Sequence, residues 1–201
     1  MRIVLATSNA GKLAELEQLL AGMAVELIPQ SALGFESPAE TGATFLDNAL
    51  IKARHAARVT GLPAIADDSG IEVDALGGAP GVRSARFAGE DASDAENLSA
   101  LITAMRGVPP LSRAARYQCV LVFVREAEDA QPLVARGTWE GRLTSAPRGT
   151  GGFGYDPLFE IAELGLTAAE LDSKTKNALS HRGVALTRLR TALESVLEAR
   201  A

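Results

Sequence analysis

The chain has 201 residues, 47% hydrophobic and 22% charged, which suits one large domain or two lobes sharing a core. A net charge of −5 and only 4% aromatic residues argue against a broad surface for polymeric nucleic acid or an anionic membrane, yet leave room for one small phosphate ligand. No apolar run approaches a membrane span, the N-terminus lacks a signal-peptide pattern, and the single Cys119 precludes an intrachain disulfide, so a reducing cytoplasm is the expected compartment.

In chain order, Arg2 to Ala6 reads as a short buried strand. The polar turn Thr7-Ser8-Asn9-Ala10-Gly11-Lys12 follows, then a helix with Leu13, Leu16, Leu19 and Leu20 on one face. Backbone N–H groups and the positive end of the helix dipole meet at that turn, which suits phosphate, and Lys12 adds a charge. The plainer alternative is an N-cap by Ser8 or Asn9 beside a solvated lysine. The pattern of a P-loop is absent. Ala24 to Ile28 reads as a second strand, and Pro29 to Gly42 as a polar connection carrying Glu36 and Glu40. Thr44 and Asp47 open a helix that runs to Thr60, where Gly61-Leu62-Pro63 ends it. Its Ala49, Ala53, Ala56 and Ala57 suit close packing against a sheet. Lys52 and His55 lie one turn apart on it, His55 as a surface or capping residue.

The segment from Pro63 to Ala88 carries the strongest chemical signal. A short apolar run delivers Asp67 and Asp68 into a Ser69-Gly70 turn, and Ile71, Val73 and Ala75 alternate beyond it. Two adjacent carboxylates at the end of a buried strand are costly unless solvated, hydrogen-bonded or bound to a cation. A hairpin turn with two solvated aspartates and a site for a hard divalent ion both satisfy that condition.

Asp91 to Met105 reads as an amphipathic helix with Ala95, Leu98, Leu101, Ile102 and Met105 inside. Ala114 to Arg125 reads as a long strand with Tyr117, Cys119, Leu121 and Phe123 on one face. Pro132 to Leu143 is its antiparallel hairpin partner, with Trp139 as packing. The loop Thr150-Gly151-Gly152-Phe153-Gly154-Tyr155-Asp156-Pro157 sets two aromatic rings in flexible backbone, as a ring ligand needs, or else buries both rings in an irregular connection. The last helix follows Ser180 and carries Val184, Leu186, Leu189, Leu193, Val196 and Leu197. His181 and Arg182 sit in its first turn, where the dipole disfavours cations, which points to an anion or polar ligand nearby.

Six separated stretches then match one pattern in order: Thr7 to Lys12; Glu40-Thr41-Gly42 with Asn48 and Lys52-Ala53; Ala66-Asp67-Asp68-Ser69-Gly70; Gly78-Ala79-Pro80-Gly81 with Ser84-Ala85-Arg86; Gly151 to Pro157; and Ser180-His181-Arg182. Together they resemble the inosine/xanthosine triphosphate pyrophosphatase family, which includes bacterial house-cleaning enzymes, from residue 3 to about residue 190. The resemblance implies an elongated α/β fold with a long twisted mixed sheet, two lobes forming one catalytic unit over residues 1–201, and a cleft between them. It implies a homodimer, Mg²⁺ dependence, and hydrolysis of ITP, dITP and XTP to the monophosphate plus pyrophosphate. It assigns Asp68 both as general base and as metal site, two roles that compete, and Glu40 as a metal ligand; Asp67 is a candidate to hold a metal-bound water or the metal itself. It assigns Thr7 to Lys12 to the triphosphate, Ser69 to a substrate contact, and Phe153, Gly154, Tyr155, Asp156, Lys176, His181 and Arg182 to the nucleoside; Lys52 would add positive charge in the cleft. One departure is Lys174-Thr175, where the family pattern has two acidic residues before Lys176; it bears on the capping of the local helix.

Two other readings compete. A non-catalytic nucleotide-binding or sensing module would keep the phosphate turn and the Phe153 loop but would not need Glu40, Asp67 and Asp68 together. An aspartyl-phosphate phosphatase would use Asp67 as nucleophile, but Asp-Asp-Ser-Gly lacks the usual Asp-x-Asp order.

Overall fold

Strand β1 (Arg2–Leu5) has Ile3, Val4 and Leu5 fully buried and a parallel neighbour on each side. β2 (Glu26–Pro29) pairs Leu27 with Ile3, and β3 (Ala64–Val73) pairs Ile65 with Leu5. The remaining strands are β4 (Ala114–Val124), β5 (Leu133–Leu143), β6 (Phe159–Ile161) and β7 (Leu166–Thr167). They form one open seven-stranded sheet in the order β2-β1-β3-β4-β5-β6-β7. The β5/β6 and β6/β7 pairs are antiparallel, so the sheet is mixed. Helices α1 (Ala10–Leu20), α2 (Gln30–Leu33), α3 (Phe45–Thr60), α4 (Asp94–Ala104), α5 (Ser173–Leu179) and α6 (His181–Glu198) complete the α/β fold. The structure, a computed structural model, describes residues 1–198. Among these no helix is long and apolar enough to cross a membrane.

The chain divides into two compact units. The first comprises Met1–Asp68, Cys119–Gly137 and the chain from Arg182 onward; the second comprises Ser69–Gln118 and Thr138–His181. In the first unit the sheet has a core on each face. Ile3, Leu5, Ile65, Leu121 and Phe123 pack with Leu16 and Leu20 of α1 and with Leu186, Leu189 and Leu193 of α6. Val4, Ala6, Ala64, Ala66, Val120 and Val122 pack with Ala49, Ala53, Ala56 and Ala57 of α3. Alternate residues of each strand supply the two cores, as the period of two requires. The small residues of α3 let its backbone approach the strands, which matters below because α3 also carries polar residues to β3. The second unit has its own core of Ile71, Val73, Leu101, Met105, Tyr117, Trp139, Tyr155 and Phe159. Cys119 is buried, and burial pushes its thiol up to about 12, so it acts as a small hydrophobe, as expected.

Three local expectations are corrected. The connection after β2 contains α2, whose end at Leu33 is marked by Gly34 in the left-handed region at φ 68°. Ser69 and Gly70 form no turn, because β3 runs straight through them to Val73. A Cβ at Gly70 would collide with the Gly81 carbonyl and the Ser84 hydroxyl, so this glycine serves close approach inside a strand. On α4, Ala95 is exposed and Asn97 is buried instead. The Asn97 amide donates to the Ala85 carbonyl and accepts from the Ala88 N–H, which satisfies its polar groups.

Candidate active site

β3 delivers Asp67 and Asp68 into the first unit with 1% and 4% exposure. Because they are neighbours in a strand, their side chains leave opposite faces of the sheet. Asp67 shares the face of Ile65, towards α1 and α6; Asp68 shares the face of Ala64 and Ala66, towards α3. The two aspartates therefore belong to two charge networks.

On the first face, Lys12 Nζ lies 3.1 Å from Asp67 Oδ2 and the Arg182 guanidinium lies 3.5 Å from the same oxygen. Arg182 also pairs with Glu15, one turn beyond Lys12 on α1. Burial alone would lift the Asp67 pKa; the charges of Lys12, Arg182 and Lys52 outweigh it and hold the carboxyl well below the usual range. Arg182 thus meets two anions at the N-terminus of α6, which accounts for a cation placed against that helix dipole.

On the other face, Asn48 and Lys52 stand one turn apart on α3 and each takes one oxygen of Asp68. Asn48 Nδ2 donates to Oδ2 at 3.1 Å, and Lys52 Nζ donates to Oδ1 at 3.1 Å. Lys52 also reaches Glu40 Oε1 at 2.6 Å, so Glu40 and Asp68 share one ammonium. The Asn48 carbonyl oxygen accepts from the Gly42 N–H at 2.8 Å, which fixes its amide and anchors the segment that carries Glu40. Burial pushes Asp68 up from the ordinary carboxylate value despite the pull of Lys52 and Lys12; the nearby Glu40 charge adds to the rise, and the Asn48 hydrogen bond opposes it. For Lys52 burial acts downward, but Asp68, Asp67 and Glu40 together raise its pKa, so it stays an ammonium.

The turn at Thr7 to Lys12 lies between β1 and α1. Asn9 is the N-cap of α1 and accepts from the Lys12 N–H at 3.0 Å, while Ser8, Asn9 and Ala10 are exposed. The first N–H groups of a helix lack intrahelical acceptors, so this exposed turn offers donors to an anion. Beside it is a cavity of about 360 Å³ lined by Thr7, Ser8, Gln30, Ser31, Phe35, Glu36 and Ser37.

The second unit holds a different cluster. Asp156 is buried and its Oδ2 accepts from Lys176 Nζ at 2.8 Å and from the Phe153 N–H at 2.9 Å; its Oδ1 accepts from the Tyr117 hydroxyl at 3.2 Å. Lys176 Nζ sits 4.7 Å from the centre of the half-buried Phe153 ring, a cation–π contact. His181 lies parallel to the Tyr117 ring, 4.6 Å between centroids and 8° between planes. Asp172 caps α5 by accepting from the Thr175 N–H and hydroxyl, so the change at Lys174-Thr175 leaves that cap in place.

Comparison with known proteins adds to this geometry. A profile of the Ham1 family matches residues 3–192. The chain belongs to the Ham1 family. Relatives include a dITP/XTP pyrophosphatase of Shigella flexneri, 56% identical over 96% of this chain and 98% of that protein. Another, from Methylococcus capsulatus, is 56% identical over 97% of each chain. Among solved structures, a HAM1 protein from Coxiella burnetii superposes with a TM-score of 0.90 at 47% identity, covering 97% of this chain and 99% of that one. The Staphylococcus aureus Ham1 protein does so at 0.85 and 36% identity, with the same coverage.

Within the Ham1 chain, the residues expected from sequence fall into these clusters as follows. Lys12 and Asp67 come together, as do Lys52, Glu40 and Asp68. Phe153, Asp156 and Lys176 form one hydrogen-bonded group. Ser69 follows Asp68 on β3 and is half-buried. The Tyr155 ring belongs to the core and its hydroxyl donates to the Ser84 carbonyl at 2.7 Å, so its side chain is structural. Three Ham1 residues were given no role by the sequence: Asn48, although the matched stretches include it, Glu15 and Tyr117. Asn48 was legible in part, standing four residues before Lys52 on a strong helix. Glu15 and Tyr117 find their partners across 167 and 39 residues, a pairing that no local pattern encodes.

Proposed function

We propose that this chain hydrolyses the deaminated purine nucleoside triphosphates ITP, dITP and XTP to the monophosphate and pyrophosphate, and so keeps them out of DNA and RNA. The names of its relatives support the substrate class. The observation that carries the chemistry is Asp68, buried and raised in pKa, sharing the Lys52 ammonium with Glu40.

Water attacks the α-phosphorus and pyrophosphate leaves. Asp68 takes the proton of that water; a raised carboxyl works closer to its operating pH than an ordinary one, and a positioned base contributes roughly 10²–10⁴-fold. Asn48 orients Asp68 for that task. Lys12 and the amides of the Thr7 to Lys12 turn bind phosphate oxygens with Ser69, and Lys52 adds positive charge. Two carboxylates converging on one cationic nitrogen suit a hard ion that takes one or two carboxylates together with phosphate and water oxygens. We assign Mg²⁺ to Glu40, with Asp68 either holding it or serving as the base, because a carboxylate bound directly to the ion is a poorer base; when bound, the ion would supply charge neutralisation of the phosphates and stabilisation of the leaving group. Asp67 anchors Lys12 on the other face of β3.

Phe153 stacks on the base, and Gly154, Tyr155 through its backbone, and Asp156 hold the loop that presents it. Donors from Lys176 or His181 favour a 6-keto oxygen, whereas the 6-amino group of adenine leaves them unpaired; Arg182, expected among these donors, is engaged instead by Asp67 and Glu15. A site built on such a hydrogen bond discriminates by about 10⁴ or more. The two units act as one catalytic unit, in a cytoplasmic homodimer.

A panel of nucleoside triphosphates with separate detection of pyrophosphate and phosphate tests this reading. Mg²⁺-dependent release of pyrophosphate from ITP and XTP with little turnover of ATP is expected. ITP binding without turnover would instead favour a sensing module.

A further inference from the structure

We propose that Tyr117 is a specificity-determining residue that positions the groups reading the base. The inference rests on the reading that Phe153, Lys176 and His181 recognise the nucleoside. Tyr117 lies on β4 with 7% exposure, wedged against Phe159 at 4.7 Å and Trp139 at 6.4 Å between ring centroids. Those contacts pack the ring within the core of the second unit. The ring also meets His181 in near-parallel stacking at 4.6 Å, and its hydroxyl donates to Asp156 Oδ1 at 3.2 Å.

Each contact controls a recognition group. The stacked ring sets the plane of the His181 imidazole, and hydrogen bonds in that plane weaken steeply as they bend. The hydroxyl holds Asp156, whose other oxygen fixes both the Lys176 ammonium and the Phe153 N–H. One rigid side chain thus sets the base-stacking ring, the lysine above it and the histidine. A phenylalanine would fill the same apolar space. The buried hydroxyl costs free energy unless satisfied, and what satisfies it here is the carboxylate at the centre of the cluster.

The test measures kcat and KM of Tyr117→Leu and Tyr117→Phe on ITP, XTP, GTP and ATP, with thermal melts to verify folding. Tyr117→Leu should raise the KM for ITP by about three- to tenfold, the range an aromatic pair commands. The loss should fall on KM more than on kcat, and the preference for ITP over ATP should narrow. Tyr117→Phe keeps the stack and should lie between Leu and wild type. The His181 ring-proton resonances should keep their ring-current shift in Phe and lose it in Leu. If the Leu variant fails to fold, Tyr117→Met, unbranched and space-filling, is held to the same criteria. A folded Leu or Met variant with wild-type KM and preference overturns the proposal, as does a loss confined to kcat. Absence of ITP turnover in the wild type would instead overturn the function itself, so the two failures are distinguishable.

Discussion

Lys12 Nζ stands 3.1 Å from Asp67 Oδ2, tying the first turn of α1 to a carboxylate that is 1% exposed in the middle of β3. Asp67 titrates below its unfolded value, so its charge interactions add stability that is present above about pH 4 and lost as pH falls through the folded pKa. Asp67→Asn leaves Lys12 and Arg182 short of a buried counter-charge and should cost about 3 kcal/mol at neutral pH. Urea unfolding across the acid range checks both parts: the variant should lose less stability than wild type below about pH 4. Parallel acid profiles would show that Asp67 is not the group responsible.

Asn48 holds Asp68 Oδ2 while its own amide oxygen is held by Gly42. A hydrogen bond to the ionised carboxylate lowers its pKa, so Asn48→Ala should push Asp68 further up. The acid limb of the kcat/KM profile should therefore move to higher pH than in wild type. Asp68→Asn should lower kcat by about 10²–10⁴-fold while the protein still folds, and Asn48→Ala by less. An acid limb that stays in place in Asn48→Ala would count against Asp68 as the titrating base.

Lys52 is the shared counter-ion of Glu40 and Asp68. Lys52→Met leaves those two buried or half-buried carboxylates facing each other, so in the presence of a chelator the variant should melt below wild type. Mg²⁺ should then recover more stability in the variant than in wild type, approaching about 2.7 kcal/mol at a hundredfold excess over Kd. Melting curves with and without Mg²⁺ read this independently of turnover. The same Mg²⁺ response in Lys52→Met and in a Glu40→Gln/Lys52→Met double variant would remove Glu40 from the ion site.

Much of this arrangement was legible where the signal is local. The Thr44/Asp47 capping box starts α3, and its alanines lie buried against the sheet as their spacing predicts. Asn9 caps α1, one of the two caps expected at that turn, and Trp139 packs in the core. What escaped depends on tertiary context. Gly34 and Gly70 look alike in sequence, yet Gly34 ends a helix at positive φ whereas Gly70 sits inside a strand. Reading a turn at Ser69-Gly70 also hid the consequence that Asp67 and Asp68, once in a strand, face opposite ways. Asn97 shows the same limit, because an apolar period assigns a buried polar residue to the surface unless its loop partners at Ala85 and Ala88 are known.

Gly70 itself makes the last prediction. The Ser84 hydroxyl donates to the Gly81 carbonyl at 2.7 Å and accepts from the Ile71 N–H at 2.9 Å, drawing that segment onto β3 where Gly70 has no side chain. A methyl group at Gly70 would press on backbone and on a hydroxyl that already has two partners, so neither can yield cheaply. Gly70→Ala should therefore destabilise by about 1–3 kcal/mol, the range of overpacking, despite the better strand entropy of alanine. Combining it with Ser84→Ala removes one side of the clash and should recover part of that loss, so the two changes are not additive. Denaturant unfolding of the two single variants and the double variant measures the coupling. Strict additivity would mean that the Gly81 carbonyl alone sets the close approach.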